Sequence, residues 1–330
     1  MEPQITTTIE AMRKQEENFY AVRGDYLMSH KHGDDMEDLS ISVDYANRES
    51  MTEWSYKVID FLGFGHETVE IATNYFDRFL LTPQGRDALR CPKLFQLANM
   101  ACLYLSVKMN EEVVLDSKFM SNLSNGLFAY DEVERMELQV LVALQWLVNP
   151  PTAFAFIREY LQLLPPMVAK DMKTKTMALC EPQVQVSVMD YNFINVPAST
   201  VALLAVMNSL KVLGMDSILL SHVGSLLSYA SRVMDIDTVR EDIQLTLYEA
   251  TRDCSSSILL TAAAASCGTG ASTENNKSNT NKNKNNNNNN NTTKNTTTAT
   301  NSTSAGCGVS TQEKMSQRAT FNGSPCGVFS

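Results

Sequence analysis

The residues that could do chemistry in this chain are few, and their spacing works against it. Glu111-Glu112 places two carboxylates side by side, the residue type that general acid and base catalysis needs. Neighbours on a helix point about 100° apart, however, so this pair cannot address one substrate atom. His66-Glu67 offers two kinds of metal ligand without further ligands at helical spacing, and His66 reads as a residue opening a helix. The seven cysteines, Cys91, Cys102, Cys180, Cys254, Cys267, Cys307 and Cys326, are odd in number and scattered, with no CxxC spacing and only four histidines beside them. They indicate neither a disulfide framework nor a zinc site. No Gly-rich phosphate loop and no Ser/His/Asp or Cys/His signature occurs. The sequence therefore predicts no catalytic residue, no metal and no cofactor, and function is to be sought in a surface.

Charge narrows the partner. A formal charge of −10 and a pI near 5.0 argue against binding nucleic acid, which needs a basic face to displace phosphate counterions. An acidic body suits a protein partner with a basic surface. No uncharged apolar run of about 20 residues is present to span a bilayer. The N-terminus, with Glu2 and Glu10, lacks a basic stretch followed by an apolar one. The expectation is a nuclear or cytoplasmic protein without a membrane partner.

The elements that must build such a surface are helical. Apolar residues recur at helical spacing from about Met51 to Thr251, which predicts an all-α chain. Residues 1–43 form a polar leader in which Thr6 to Tyr20 could make a short amphipathic helix, followed by an acidic stretch at residues 33–38. Residues 44–149 hold five helical segments. Of these, the third carries Leu94, Leu97, Ala98, Ala101 and Leu105 and is apolar almost all round, as the central helix of a lobe would be. Asn149-Pro150-Pro151 interrupts, and residues 150–253 give five more segments from an N-cap at Thr152, so the architecture is two five-helix lobes. Residues 254–330 contain Asn285 to Asn291 within an Asn/Thr/Ser/Lys field. Lacking the apolar side chains that offset ordering entropy, this tail reads as disordered.

Within the first lobe, Arg48 precedes a helix with Trp54 six residues on, Asn74-Tyr75-Phe76-Asp77-Arg78-Phe79-Leu80 lies on the second helix, Leu97 stands eleven residues before Lys108 on the third, and Arg135-Met136-Glu137 sits on the fifth. In this order and spacing they resemble the cyclin box. The resemblance implies a cyclin fold that does no chemistry itself and activates a cyclin-dependent protein kinase. It makes Arg48 and Asp77 a structural ion pair pinning the first helix to the second, and Leu97 a core residue. It makes Lys108 and Glu137 the charged residues shown to the kinase, with an apolar floor from Leu105, Met109, Phe119 and Met120 and with Val140 behind. A kinase of this type needs the Glu of its C helix to reach the Lys of its third strand, and binding here would stabilise that inward position. Asp190 to Ala202 resembles the cyclin C-terminal lobe and, with Ser106 to Glu111, leans towards the D-type branch, although no Leu-x-Cys-x-Glu motif occurs in the leader.

The sequence departs from the family at the patch that docks Arg-x-Leu substrate motifs. Met51, Trp54 and Gln96 match it, but Asn47 and Ser50 remove two apolar walls, so recruitment of substrates or inhibitors by that route is not expected. Trp54 fits core packing and a groove equally. Arg86-Asp87-Ala88-Leu89 has the form of a minimal destruction box in a loop. Of two proline-directed phosphosites, Thr82-Pro83 and Ser324-Pro325, the tail site Ser324 is the accessible one. The alternative role for this fold is a transcription regulator or general-initiation adaptor, which needs basic lobes; the acidic charge disfavours it.

Overall fold

The computed structural model describes residues 2–27, 43–113, 115–165, 168, 170–231 and 242–252. The acidic stretch at 33–38, the asparagine tract and Ser324 lie outside these residues. Among the described residues there are helices and no strand: α1 (Glu2–Gln15), extended by a π-helical turn (Glu16–Tyr20), α2 (Tyr45–Leu62), α3 (Glu67–Leu80), α4 (Arg86–Arg90), α5 (Pro92–Asn110), α6 (Ser117–Leu123), α7 (Tyr130–Ala143), α8 (Ala153–Leu163), α9 (Lys170–Met189), α10 (Ala198–Val212), α11 (Ser217–Ser231) and α12 (242–252).

Local chemistry fixes most of the boundaries. Asp44 opens α2 as half of a capping box, its carboxylate accepting the Asn47 N–H while the Asn47 side chain accepts the Asp44 N–H. Gly63 closes α2 with φ of 73°, a left-handed cap that costs glycine nothing, and its N–H returns to the Ile59 carbonyl. Pro92 stands in the first turn of α5, where the missing N–H has no partner to lose. The hydroxyl of Thr152 accepts the Ala155 N–H and starts α8 immediately after Pro150-Pro151.

In the first lobe α5 is the axis, packed by α2, α3, α4, α6 and α7. Every residue from Phe95 to Val107 is buried, and the Phe76 and Phe95 rings meet edge to face at 4.8 Å. In the second lobe α10 takes that place against α8, α9 and α11, and is buried along most of its length. The Gln183 Nε2 of α9 lies 3.0–3.1 Å from the Leu179 and Ala205 carbonyls and Ser209 Oγ, acceptors for its two N–H groups, and its Oε1 accepts from Asn208, so this fully buried amide next to Pro182 is satisfied.

The leader's helix is longer than the expected Thr6 to Tyr20: α1 begins at Glu2, packs on α8 and α11, and buries Ile9. Beyond it, the Glu16 carboxylate accepts both the backbone N–H (2.9 Å) and the hydroxyl (2.6 Å) of Ser199 at the start of α10. Pro197 offers α10 no side-chain cap, so the leader supplies one. The stretch Arg86 to Leu89 is helix rather than loop, with Ala88 and Leu89 buried.

Candidate functional site

Lys108 is the first exposed residue after the buried run of α5, in the last turn, where a cation favours the carbonyl end of a helix. On α7, Val133, Met136 and Val140 are buried and Glu137 is placed beside them. The two helices pack together, and Lys108 Nζ donates to Glu137 Oε1 at 2.7 Å. The ammonium also lies 4.8 Å above the Tyr104 ring, so it is held from two sides while 38% of its side chain stays exposed; that of Glu137 is 10% exposed. An ammonium has three donors, so a partner can still be engaged.

The apolar floor divides. Leu105, Met120 and Val140 are buried in the core, Phe119 is half-buried, and Met109 is 55% exposed beside Lys108. Sequence reasoning missed Trp146, which is 63% exposed at the end of the helix that carries Glu137. Gln145 and Trp146 both sit in the left-handed region, φ 54° and 61°, costing roughly 1–2 kcal/mol each for residues with a Cβ. The next two residues are pinned from α3: the Tyr75 hydroxyl donates to the Val148 carbonyl and Arg78 Nη1 donates to the Leu147 carbonyl at 2.9 Å. Trp146 is out of phase with Val133, Met136, Val140 and Leu144, and that phase was the signal available.

Arg48 and Asp77 meet in a two-pronged ion pair, Nε–Oδ1 2.9 Å and Nη2–Oδ2 2.7 Å, both buried. Burial alone would lower the guanidinium pKa, but Asp77 beside it raises it. The pair is also wider than a pin between two helices. The Tyr26 hydroxyl of the leader donates to Asp77 Oδ1 at 2.7 Å, and Arg48 Nη1 donates to the carbonyls of Val188 (3.1 Å) and Met189 (3.0 Å) in the second lobe. Burial, then the neighbouring Asp77, drives the Tyr26 hydroxyl pKa well above that of a free phenol.

Leu97 is buried in α5. The docking-patch assignment is corrected: Met51, Trp54 and Gln96 are 0, 3 and 5% exposed, so none presents a free wall, and Trp54 is packed in the core. The Thr82 hydroxyl is engaged in a closed turn, donating to the Phe79 carbonyl and accepting the Gly85 N–H. Among the described residues no group of three or more His, Cys, Asp or Glu could hold a metal, and no helix is long and apolar enough to cross a membrane.

Two helical lobes, each wound on a buried central helix, with a charged pair at the surface of the first, define a two-lobed all-α protein. Residues 7–149 match the family model described as the cyclin N-terminal domain, and residues 151–259 match that of the cyclin C-terminal domain; the chain belongs to the cyclin family. It is similar to the G2/mitotic-specific cyclin-2 of Saccharomyces cerevisiae, 28% identical over 170 residues, 52% of this chain and 32% of that protein. It is also similar to Cyclin-D4-2 of Oryza sativa subsp. japonica, 35% identical over 128 residues, 37% of this chain and 32% of that protein. With Cyclin-D1-1 of Arabidopsis thaliana it shares 36% identity over 118 residues, 35% of this chain and 34% of that protein. The matches thus span about a third of the length of these relatives. A viral cyclin from herpesvirus saimiri has the same fold, with a TM-score of 0.53 over 74% of this chain and 96% of that one at 13% identity.

Proposed function

We propose that this chain is the regulatory subunit of a cyclin-dependent protein kinase, binding the kinase beside α5 and α7 and holding its C helix in the inward, active position. The observation that carries the reading is the Lys108–Glu137 pair, 2.7 Å apart on adjacent helices and open to solvent at the ammonium. Charged groups suit this task because bonds from them to a partner's backbone are stronger than neutral ones and fix the register of a docked helix. Met109 and Trp146 add apolar surface that can be buried on docking.

On this reading the chain breaks no bonds itself. Free energy of binding shifts the kinase between two states, and the rate of phosphoryl transfer changes at a distance. It works in the nucleus or the cytoplasm, without nucleic acid or membrane as a partner, and selects substrates by a route other than an Arg-x-Leu groove.

The double variant K108A/E137A tests this. It should lose capture of a cyclin-dependent kinase from cell extract, and activation of that kinase, while the helical circular-dichroism signal is kept. Full kinase binding by the folded variant would sink the assignment, as would a wild-type chain that recovers no such kinase.

A further inference from the structure

The seam between the lobes carries charges that the kinase-facing site does not use. His66, just before α3, has its Nε2 2.7 Å from Asp60 Oδ1 of α2 and its Nδ1 2.9 Å from Glu181 Oε1 of α9. Tyr56 of α2 stands edge-on to the imidazole at 5.2 Å. Along α3 itself, Glu67 pairs with Arg158 of α8 at 2.8 and 2.9 Å and accepts the Thr152 hydroxyl, and Glu70 accepts the Ala153 N–H at the start of α8. His66, Glu67 and Glu70 all reach the second lobe.

A neutral imidazole has one N–H, and its second nitrogen presents a lone pair; the imidazolium has two N–H groups. With a carboxylate oxygen within 3 Å of each nitrogen, a neutral ring must aim that lone pair at one of the two anions. We propose that His66 is a proton-held latch between the lobes, bridging Asp60 and Glu181 as an imidazolium and releasing Glu181 when it loses the proton. Glu181 is the one released because it belongs to the other lobe, whereas Asp60 shares the lobe of His66 and holds Nε2 in a hydrogen bond.

The electrostatics agree. Glu181 foremost raises the His66 pKa, burial opposes and Asp60 assists, and the group is moved from 6.5 to about 9; His66 in turn lowers the pKa of Glu181. A pKa raised on folding means that the latch is fully present below about pH 6.5 and is lost as pH rises through about 9. Glu70, pushed up to about 8 chiefly by burial, loses its proton over an overlapping range and also weakens the seam as pH rises. A test must therefore separate His66 from it.

The full chain titrated by NMR of the histidine rings does so. The His66 midpoint should lie near 9, and E181Q should lower it by roughly one unit or more. A double-mutant cycle of H66Q with E181Q, read by urea unfolding, should show coupling of about threefold in the unfolding constant at neutral pH, that of a partly exposed ion pair, vanishing near pH 10. A midpoint close to 6.5 in the wild type, or one unmoved by E181Q, would overturn the latch, and so would coupling that is the same at both pH values. Glu181 is half-exposed, so E181Q keeps the titration decisive even if H66Q folds poorly.

Discussion

Asp77 is the residue whose loss should be felt most widely. It receives Arg48 through both oxygens and Tyr26 through one, and Arg48 reaches on to the second lobe. D77N leaves a buried guanidinium without its anion and should destabilise the protein by about 3–5 kcal/mol, read as a lower urea midpoint at unchanged slope. A loss under 1 kcal/mol would mean that the pair is dispensable. Arg48 and Asp77 were legible because the family spacing pairs them, and Lys108 and Glu137 likewise. Tyr26, Val188 and Met189 were not legible, since partners 51 and about 140 residues away leave no local pattern. Trp54 had two readings because a Trp on an amphipathic helix satisfies either until its surroundings are known; its own burial, to 3% exposure, chooses the core.

Elements were readable where periodicity is long and capped. α5 declares itself as a central helix by being apolar almost all round, and Asp44, Gly63, Pro92 and Thr152 mark ends by known cap chemistry. α4 was missed because five residues give barely more than one turn, and Arg86-Asp87 with Arg90 reads as polar connection. Its position depends on Gly85, for a reason that is steric and not conformational. A Cβ there would lie 2.0 Å from the Phe79 carbonyl oxygen and 2.9 Å from Leu80 Cα, so backbone rather than a pliant side chain would have to move. G85A should therefore cost about 3 kcal/mol and displace the turn that carries α3 into α5, visible as a fall in melting temperature with kinase binding reduced in parallel. A melting point equal to wild type would show that the end of α3 yields freely.

Across the whole molecule, the two ends of the chain should behave oppositely on truncation. The leader alternates between lobes along its length. Glu16 caps α10 through Ser199, the Tyr20 carbonyl accepts from Asn74 and its ring lies 5.0 Å from the Arg78 guanidinium, Asp25 accepts from Tyr191, and Tyr26 returns to Asp77. Removing residues 1–27 would uncover Ile9's site on the second lobe, leave the start of α10 uncapped, and take away the hydroxyl donated to Asp77. Each loss is of order 1 kcal/mol or more, and they fall on both lobes, so the melting temperature should drop by several degrees. From Gly270 onward the composition is Asn, Thr, Ser and Lys with little that is apolar, and the match to the cyclin C-terminal domain ends at residue 259. Deleting residues 270–330 should leave melting temperature and kinase capture unchanged within error. Equal sensitivity to both truncations would refute this division, because it would require the polar segment to contribute packing that its side chains do not have.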